Sequence, residues 1–207
     1  MSNDSHDDAM EEFYDLISEE LYPEHKEQAI EEFTDQRLKS YYLQNPRVMR
    51  PAVDAIQEGK WQLGKERYSP ALVFYVSAIE LLLKATLLRP VLYGLIHNEG
   101  LAEIMVTHIL GKTGIQGYRK LLKQLFDNLT EIDLNEISRE VTQKKLLEEC
   151  QELQVIRNNI IHKGALCTKV DAEKGSLAAL AVFEKIVRPL LFSIGLSVED
   201  KGEIVER

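Results

Sequence analysis

Residues 68–90, YSPALVFYVSAIELLLKATLLRP, set the fold class, because this stretch is apolar on nearly every side of a helix. Such a helix needs neighbours all round and belongs in the middle of a bundle. Ser69-Pro70 reads as its start, with serine as the cap and proline at the first helical position; Arg89-Pro90 ends or kinks it. Glu80 and Lys84 interrupt its most apolar run, 78–88, which therefore falls short of a membrane span.

The period on both sides is helical, and no alternating strand pattern with hairpin turns is found. Ala9, Phe13, Leu16, Ile17 and Leu21 form one stripe before Pro23, and Ile30, Phe33, Leu38, Tyr41 and Tyr42 form a second that stops at Asn45-Pro46. Val48, Val53 and Ile56 give a weaker stripe ahead of Gly59 and Gly64, with Trp61 as a packing anchor. After Pro90 come short helical pieces (90–96 and 101–110), then a loop marked by Gly111, Gly114 and Gly117, then an amphipathic helix carrying Tyr118, Leu121, Leu122, Leu125 and Phe126. Asp133 with Glu136 three residues on reads as the start of a long helix toward Ile161, ended by Gly164 and a polar stretch to Lys174. Leu177, Leu180, Phe183, Val187, Leu190, Leu191 and Ile194 mark the last core helix, bent at Pro189. The expectation is an all-α, up-and-down bundle of four to five core helices. Residues 1–66 form an acidic helical extension, 67–196 the bundle and 197–207 a C-terminal tail.

The 207 residues carry a net charge of −9, with 44% hydrophobic and 29% charged side chains, a globular composition. The charge is unevenly divided. Residues 1–36 hold thirteen acids and one base, which leaves 21 acids against 24 bases in the remainder. A slightly basic body permits a polyanion partner; the acidic arm either aids solubility or lies over a groove that takes RNA. The polar, acidic start lacks the basic and apolar segments of a signal peptide. Two cysteines, Cys150 and Cys167, fit neither a disulfide framework nor a CxxC zinc site, which points to a reducing, cytoplasmic setting. His97 and His108 have no partner at ligand spacing, so neither a metal nor a cofactor is expected.

The chemistry concentrates in residues 155–164, VIRNNIIHKG. An apolar seam runs Leu146, Cys150, Leu153, Arg157, Ile160, so Arg157 stands where the period calls for an apolar side chain. A guanidinium does not deprotonate to escape burial, and so needs an acidic partner, a cleft or a subunit boundary. Asn158 and His162 share a face, whereas Arg157 and His162 are about 140° apart on a regular helix. They meet on one substrate only if the helix end distorts or a second copy lies opposite.

This segment resembles the Arg-polar-x-x-x-His motif of HEPN domains, small α-helical bundles of the higher-eukaryote and prokaryote nucleotide-binding family. Arg157 matches the arginine, Asn158 the polar residue after it and His162 the histidine. Residues 68–90 resemble the family's long first core helix, with Glu80 in place of its polar residue near the site. The resemblance covers residues 68–196 and implies a metal-independent endoribonuclease with Arg157 and His162 as catalytic pair, supported by Asn158 and Glu80. In it a 2′-hydroxyl attacks the adjacent phosphate and leaves a 2′,3′-cyclic phosphate. It also implies a site built across a homodimer, with a toxin–antitoxin or phage-defence role. An antitoxin or regulatory protein is then a further partner, and no membrane is involved. HEPN toxins inactivated by nucleotidyltransferase antitoxins commonly carry a tyrosine two residues after the histidine; here Gly164 stands there, which puts that route in doubt.

Other readings remain open at this level. Arg157 is equally a core or interface arginine, and His162 a helix-end histidine favoured by the dipole. Glu80 pairs as well with Lys84, four residues on, as with Arg157. The alternative function is a non-catalytic HEPN-like scaffold or nucleotide-binding module. Two basic strips could follow an RNA strand: one of Arg37, Lys39, Tyr41, Tyr42, Arg47 and Arg50, whose tyrosines are read rather as core packing on the apolar stripe, and one of Tyr118, Arg119, Lys120 and Lys123, equally a solvated helix face.

Overall fold

The computed structural model describes residues 35–96, 99–111, 114–139 and 144–207. The stripe over Ala9–Leu21 and nearly all of the acidic arm lie outside the described residues. A helix over 35–44 (α1) leads into α2 (Arg50–Gly64), then α3 (Tyr68–Glu80), which continues through a π-helical stretch, Leu81–Leu88, into α4 (Arg89–Leu95). There follow α5 (Glu99–Met105) with a π turn at Val106–Leu110, α6 (Ile115–Leu129), α7 (Leu146–Lys163) and α8 (Lys169–Val182). A second π stretch, Phe183–Val187, joins α8 to α9 (Arg188–Ser193). Among the described residues the architecture is all-α apart from one antiparallel hairpin, β1 (Leu196–Val198) against β2 (Ile204–Glu206).

Helix α3 lies in the middle, with Ala71, Leu72, Tyr75, Val76, Ala78 and Ile79 buried. It packs against α2, α7 and α8. Gly59 on α2 and Gly175 on α8 permit this closeness: a Cβ at Gly59 would stand 2.9 Å from the Tyr75 ring, and one at Gly175 2.7 Å from Leu72 Cδ1. The helices on both sides of residue 66 share one core, since Leu38, Tyr42, Met49 and Ala52 pack in the same cluster as Leu72, Ile79 and Leu83.

Of the two outcomes expected at Arg89-Pro90, an end or a kink, the central helix does not take the first: it runs on through Pro90. Proline has no N–H for the Thr86 carbonyl four residues back, and its ring presses on that carbonyl. The helix widens instead, so that Arg89 N donates to Lys84 O, five residues back. The displaced Thr86 carbonyl then accepts from the fully buried Tyr42 hydroxyl at 2.6 Å. The same device precedes Pro189, where Arg188 N donates to Phe183 O. Tyr42→Phe is therefore expected to cost about 1–3 kcal/mol, the penalty for a buried carbonyl left without its donor. The check is a lower urea midpoint at unchanged m-value; an unshifted midpoint counts against it.

Because the helix runs on, Tyr68–Gly94 is long and apolar enough to cross a membrane by length and composition, although the broken run 78–88 is not. Of its most apolar window, 61% is buried inside the protein, as in a core helix.

Several boundaries differ from the periodicity. Helix α7 starts at Leu146, not near Asp133. The Asp133 carboxylate accepts from Asn135 N in a turn, Glu136 pairs with Lys145, and Ser138 forms an isolated bridge with Lys145. Ser69 does not cap α3; its hydroxyl accepts from Cys167 N at 3.0 Å, which ties the α7–α8 connection to the start of the central helix. Gly117 lies inside α6. Helix α8 begins at Lys169, within the stretch read as polar loop, because Thr168 and Asp171 form a reciprocal capping box. Its buried face is Ala172, Gly175, Ala178, Ala179 and Val182, while Leu177 and Leu180 are half-exposed, as is Trp61. Close packing on α3 selects small residues, so the larger leucines face outward. The terminal hairpin is too short for a two-residue period to register; Lys201 and Gly202 turn it with positive φ. It docks through buried Leu196 and Ile204 and through Ile204 N donating to Pro46 O.

Candidate functional site

The seam on α7 behaves as its period requires. Leu146, Cys150 and Leu153 are buried, and the next position, Arg157, reaches the point where α3 becomes π-helical. There Glu80 Oε1 accepts from Arg157 Nη2 at 2.6 Å and from Gln154 Nε2 at 2.5 Å. The ion pair is largely enclosed, with 18% of the Arg157 side chain and 21% of the Glu80 side chain exposed. Gln154 Oε1 accepts from Ile115 N at 3.4 Å, taking one of the unpaired amides at the start of α6. Arg157 Nη1 donates to Asn158 Oδ1 at 2.9 Å. Of the two partners considered for Glu80, the geometry selects Arg157, and Asn158 orients that guanidinium.

The surroundings are polar and crowded. Burial pushes the Lys84 ammonium below its ordinary pKa; Glu80 opposes the shift and Arg157 adds to it. Lys84 Nζ sits 5.3 Å from the Tyr118 ring centroid, a cation–π contact. The Tyr118 phenol is pushed upward, chiefly by burial and then by Glu80. Arg157 Nε and the Tyr118 hydroxyl are buried without a hydrogen-bond partner among the described residues. Arg157 thus engages two nitrogens and keeps the Nε–H of its fork uncommitted.

His162 is not part of this cluster. It lies exposed in the last turn of α7, about 140° around the helix from Arg157 and roughly 7.5 Å along its axis. Gly164, at φ +64°, ends the helix, with Ala165 N donating to Asn159 O six residues back. The helix end is an ordinary left-handed cap and does not turn His162 toward Arg157. Within one chain Arg157, Asn158 and Glu80 converge, and His162 faces away. Val155 shares the outward face of His162, and Ile161, Leu166 and Val170 follow around the cap, all exposed, Leu166 to 90%.

Two clefts among the described residues lie elsewhere. One of about 740 Å³ is lined by Asp127, Thr130, Ile132, Pro189 and Phe192, and another of about 460 Å³ by Arg188, Phe192, Ser197 and Arg207; neither touches Arg157 or His162. The second basic strip dissolves: Tyr118 is fully buried, Arg119 forks onto Asn135 Oδ1 and Lys123 pairs with Asp127. Sequence reasoning missed Gln154, although its place three residues before Arg157 puts it on the same side of α7. It also missed Arg139, because residue 139 was read as helix; Arg139 holds Glu149 through Nε at 2.7 Å and through Nη2 as well. Compared with known protein families, with curated proteins and with solved structures, the chain matches none of them.

Proposed function

We propose that this chain is an endoribonuclease of the HEPN type that acts as a homodimer, with Arg157 and His162 as the working pair. The observation that carries the reading is the state of Arg157: a largely enclosed guanidinium held by Glu80 through Nη2 and by Asn158 through Nη1, with a second hydrogen left on each of those nitrogens. Phosphate oxygens can be met by the remaining donors without breaking the Glu80 pair. Glu80 and Asn158 then act as positioning residues for the guanidinium.

The reaction that the HEPN resemblance implies fits these residue types. A 2′-hydroxyl attacks the neighbouring phosphorus, one imidazole takes its proton, and the guanidinium stabilises charge on the pentacovalent phosphate. The O5′ leaving group takes a proton from a second imidazole, which leaves a 2′,3′-cyclic phosphate and a 5′-hydroxyl. A single chain supplies one histidine, turned away from its arginine, so a second copy is needed to provide acid and base together. The exposed apolar residues Val155, Ile161, Leu166 and Val170 around His162 supply a surface that a two-fold partner would cover.

A second reading has its own support. Arg157 is already neutralised by Glu80, and neither cleft described above is lined by the pair, which suits a non-catalytic dimeric scaffold or nucleotide-binding module. The test is digestion of single-stranded RNA by the full chain in EDTA, with end-group analysis of the fragments and sedimentation of the protein. Fragments with cyclic-phosphate and 5′-hydroxyl ends from a dimer support the nuclease. Intact RNA beside a stable dimer favours the scaffold.

A further inference from the structure

The first basic strip is reorganised by the fold. Tyr42 turns into the core, Lys39 pairs with Glu206, and Arg50 pairs with Asp54. Arg37, Tyr41 and Arg47 remain at the surface, and α4 brings Arg89 and Tyr93 beside them. The Tyr41 and Tyr93 rings stack at 6.2 Å with an interplanar angle of 25°. The buried Tyr42 ring meets Tyr41 at 6.1 Å edge to face, and the Arg89 guanidinium lies 5.3 Å from the Tyr93 ring centroid. Tyr41 is thereby fixed from the core side and by its stacked neighbour, so a ligand meets a preformed aromatic platform.

Two clefts border Tyr41. One, of about 460 Å³, is lined by Tyr41, Gln44, Asn45, Arg47 and Arg89; the other, of about 310 Å³, by Arg37, Ser40, Tyr41, Gln44 and Tyr93. Among the described residues no carboxylate lines either cleft. Arg47 and Arg89 have no carboxylate partner among the described residues, in contrast to Lys39 and Arg50 nearby. Ring faces between uncommitted guanidinium groups, with amides at hand for base edges, are the equipment for an unpaired strand. A duplex hides its bases and leaves the rings unused, and an acidic peptide needs the arginines but not the stack.

We propose that Tyr41 and Tyr93, with Arg47 and Arg89, form a groove that binds single-stranded RNA apart from the Arg157 cluster. The choice of RNA over DNA rests on the proposed nuclease function. Along the continuous central helix Arg89 and Tyr93 lie about 14–20 Å from Glu80, a distance that a strand of about four to six stacked nucleotides spans. The groove holds a length of substrate beyond the nucleotides at the cleavage point.

The test uses the full chain carrying His162→Ala, so that RNA is not consumed, and measures anisotropy of a fluorescein-labelled oligouridylate in EDTA over a range of salt. Arg47→Ala with Arg89→Ala, both exposed and without an ion pair among the described residues, is expected to weaken binding about tenfold or more and to flatten the salt slope by about one to two. Tyr41→Ala is expected to weaken it about tenfold, while Tyr41→Phe, which keeps the stack, binds as the parent does. Unchanged affinity in both the arginine and the alanine variants overturns the groove. So does a loss confined to the arginine variant with duplex RNA or polyglutamate bound equally well, which marks a patch for acidic polymers. Oligouridylate binding through these residues without cleavage by the wild type leaves the groove standing and removes the nuclease reading; cleavage with no effect of the groove variants does the reverse.

Discussion

Replacing His162 with alanine is expected to slow RNA cleavage in EDTA by a factor of about 10² to 10⁴, the range contributed by a positioned general acid or base. The same change is expected to leave the fold of each chain intact, because within the chain the side chain is exposed and makes no hydrogen bond to the described residues. Arg157 behaves differently. Its alanine variant is expected to lose about 10²–10³ in rate, as for removal of one donor to a charged transition state. It also loses stability, since Glu80 is left enclosed without its cation. Arg157→Lys separates the two effects: it keeps a charge for Glu80 but not the planar fork, so it is expected to recover folding more than rate. Full cleavage by the His162→Ala protein, measured on the same RNA, would sink the catalytic assignment.

The largest expected effect on stability comes from a pair outside the site. Arg139→Ala is expected to destabilise the fold by about 3–5 kcal/mol, because the Glu149 carboxylate is then buried without a counter-charge. The side chains are only 12% and 9% exposed, and Arg139 meets both carboxylate oxygens. The surface pair Lys123–Asp127 on α6, open to solvent, is expected to contribute little by comparison. The position of Arg139 explains the difference. It clamps the segment after α6 onto α7, beside the Leu146 N to Ile137 O hydrogen bond that opens α7 and the Lys185 Nζ bond to Ser138 O. Urea unfolding measures the loss. Arg139→Met with Glu149→Leu, which removes both charges, is expected to restore most of it, and failure of that rescue would mean that packing rather than the uncompensated carboxylate dominates.

Much of the helical content was legible because a 3.6-residue period is a property of the chain itself. The amphipathic helix carrying Tyr118 to Phe126 and the central helix from Tyr68 are both present. Errors gathered where a local signal has two uses. Asp133 and Glu136 carry the letters of a capping box, but each found a different partner in a turn. Thr168 and Asp171 form a real one in a stretch that looked too polar for a helix. Leu177 and Leu180 are large enough to look like core, yet Ala178 and Ala179 occupy it, because α8 lies too close to α3 for a leucine. In the site, Arg157 stood out as a charge on an apolar seam, and Glu80 as the acid within an apolar helix. Gln154 stood out as nothing, since an amide on a helix carries no charge or period to notice.

From the order of residues alone came an all-α bundle around one apolar helix, an arginine pointing inward on α7 and a histidine pointing away from it, because spacing along a helix settles which faces coincide. Only packing decided that Glu80 meets Arg157, that Arg139 clamps Glu149, and that Tyr41 stacks on Tyr93 beside Arg89. Glu80 and Arg157, like Tyr41 and Tyr93, stand far apart in the chain, and Arg139 reaches Glu149 ten residues on by way of a turn; their meeting depends on how closely whole segments approach, a quantity that no local pattern encodes.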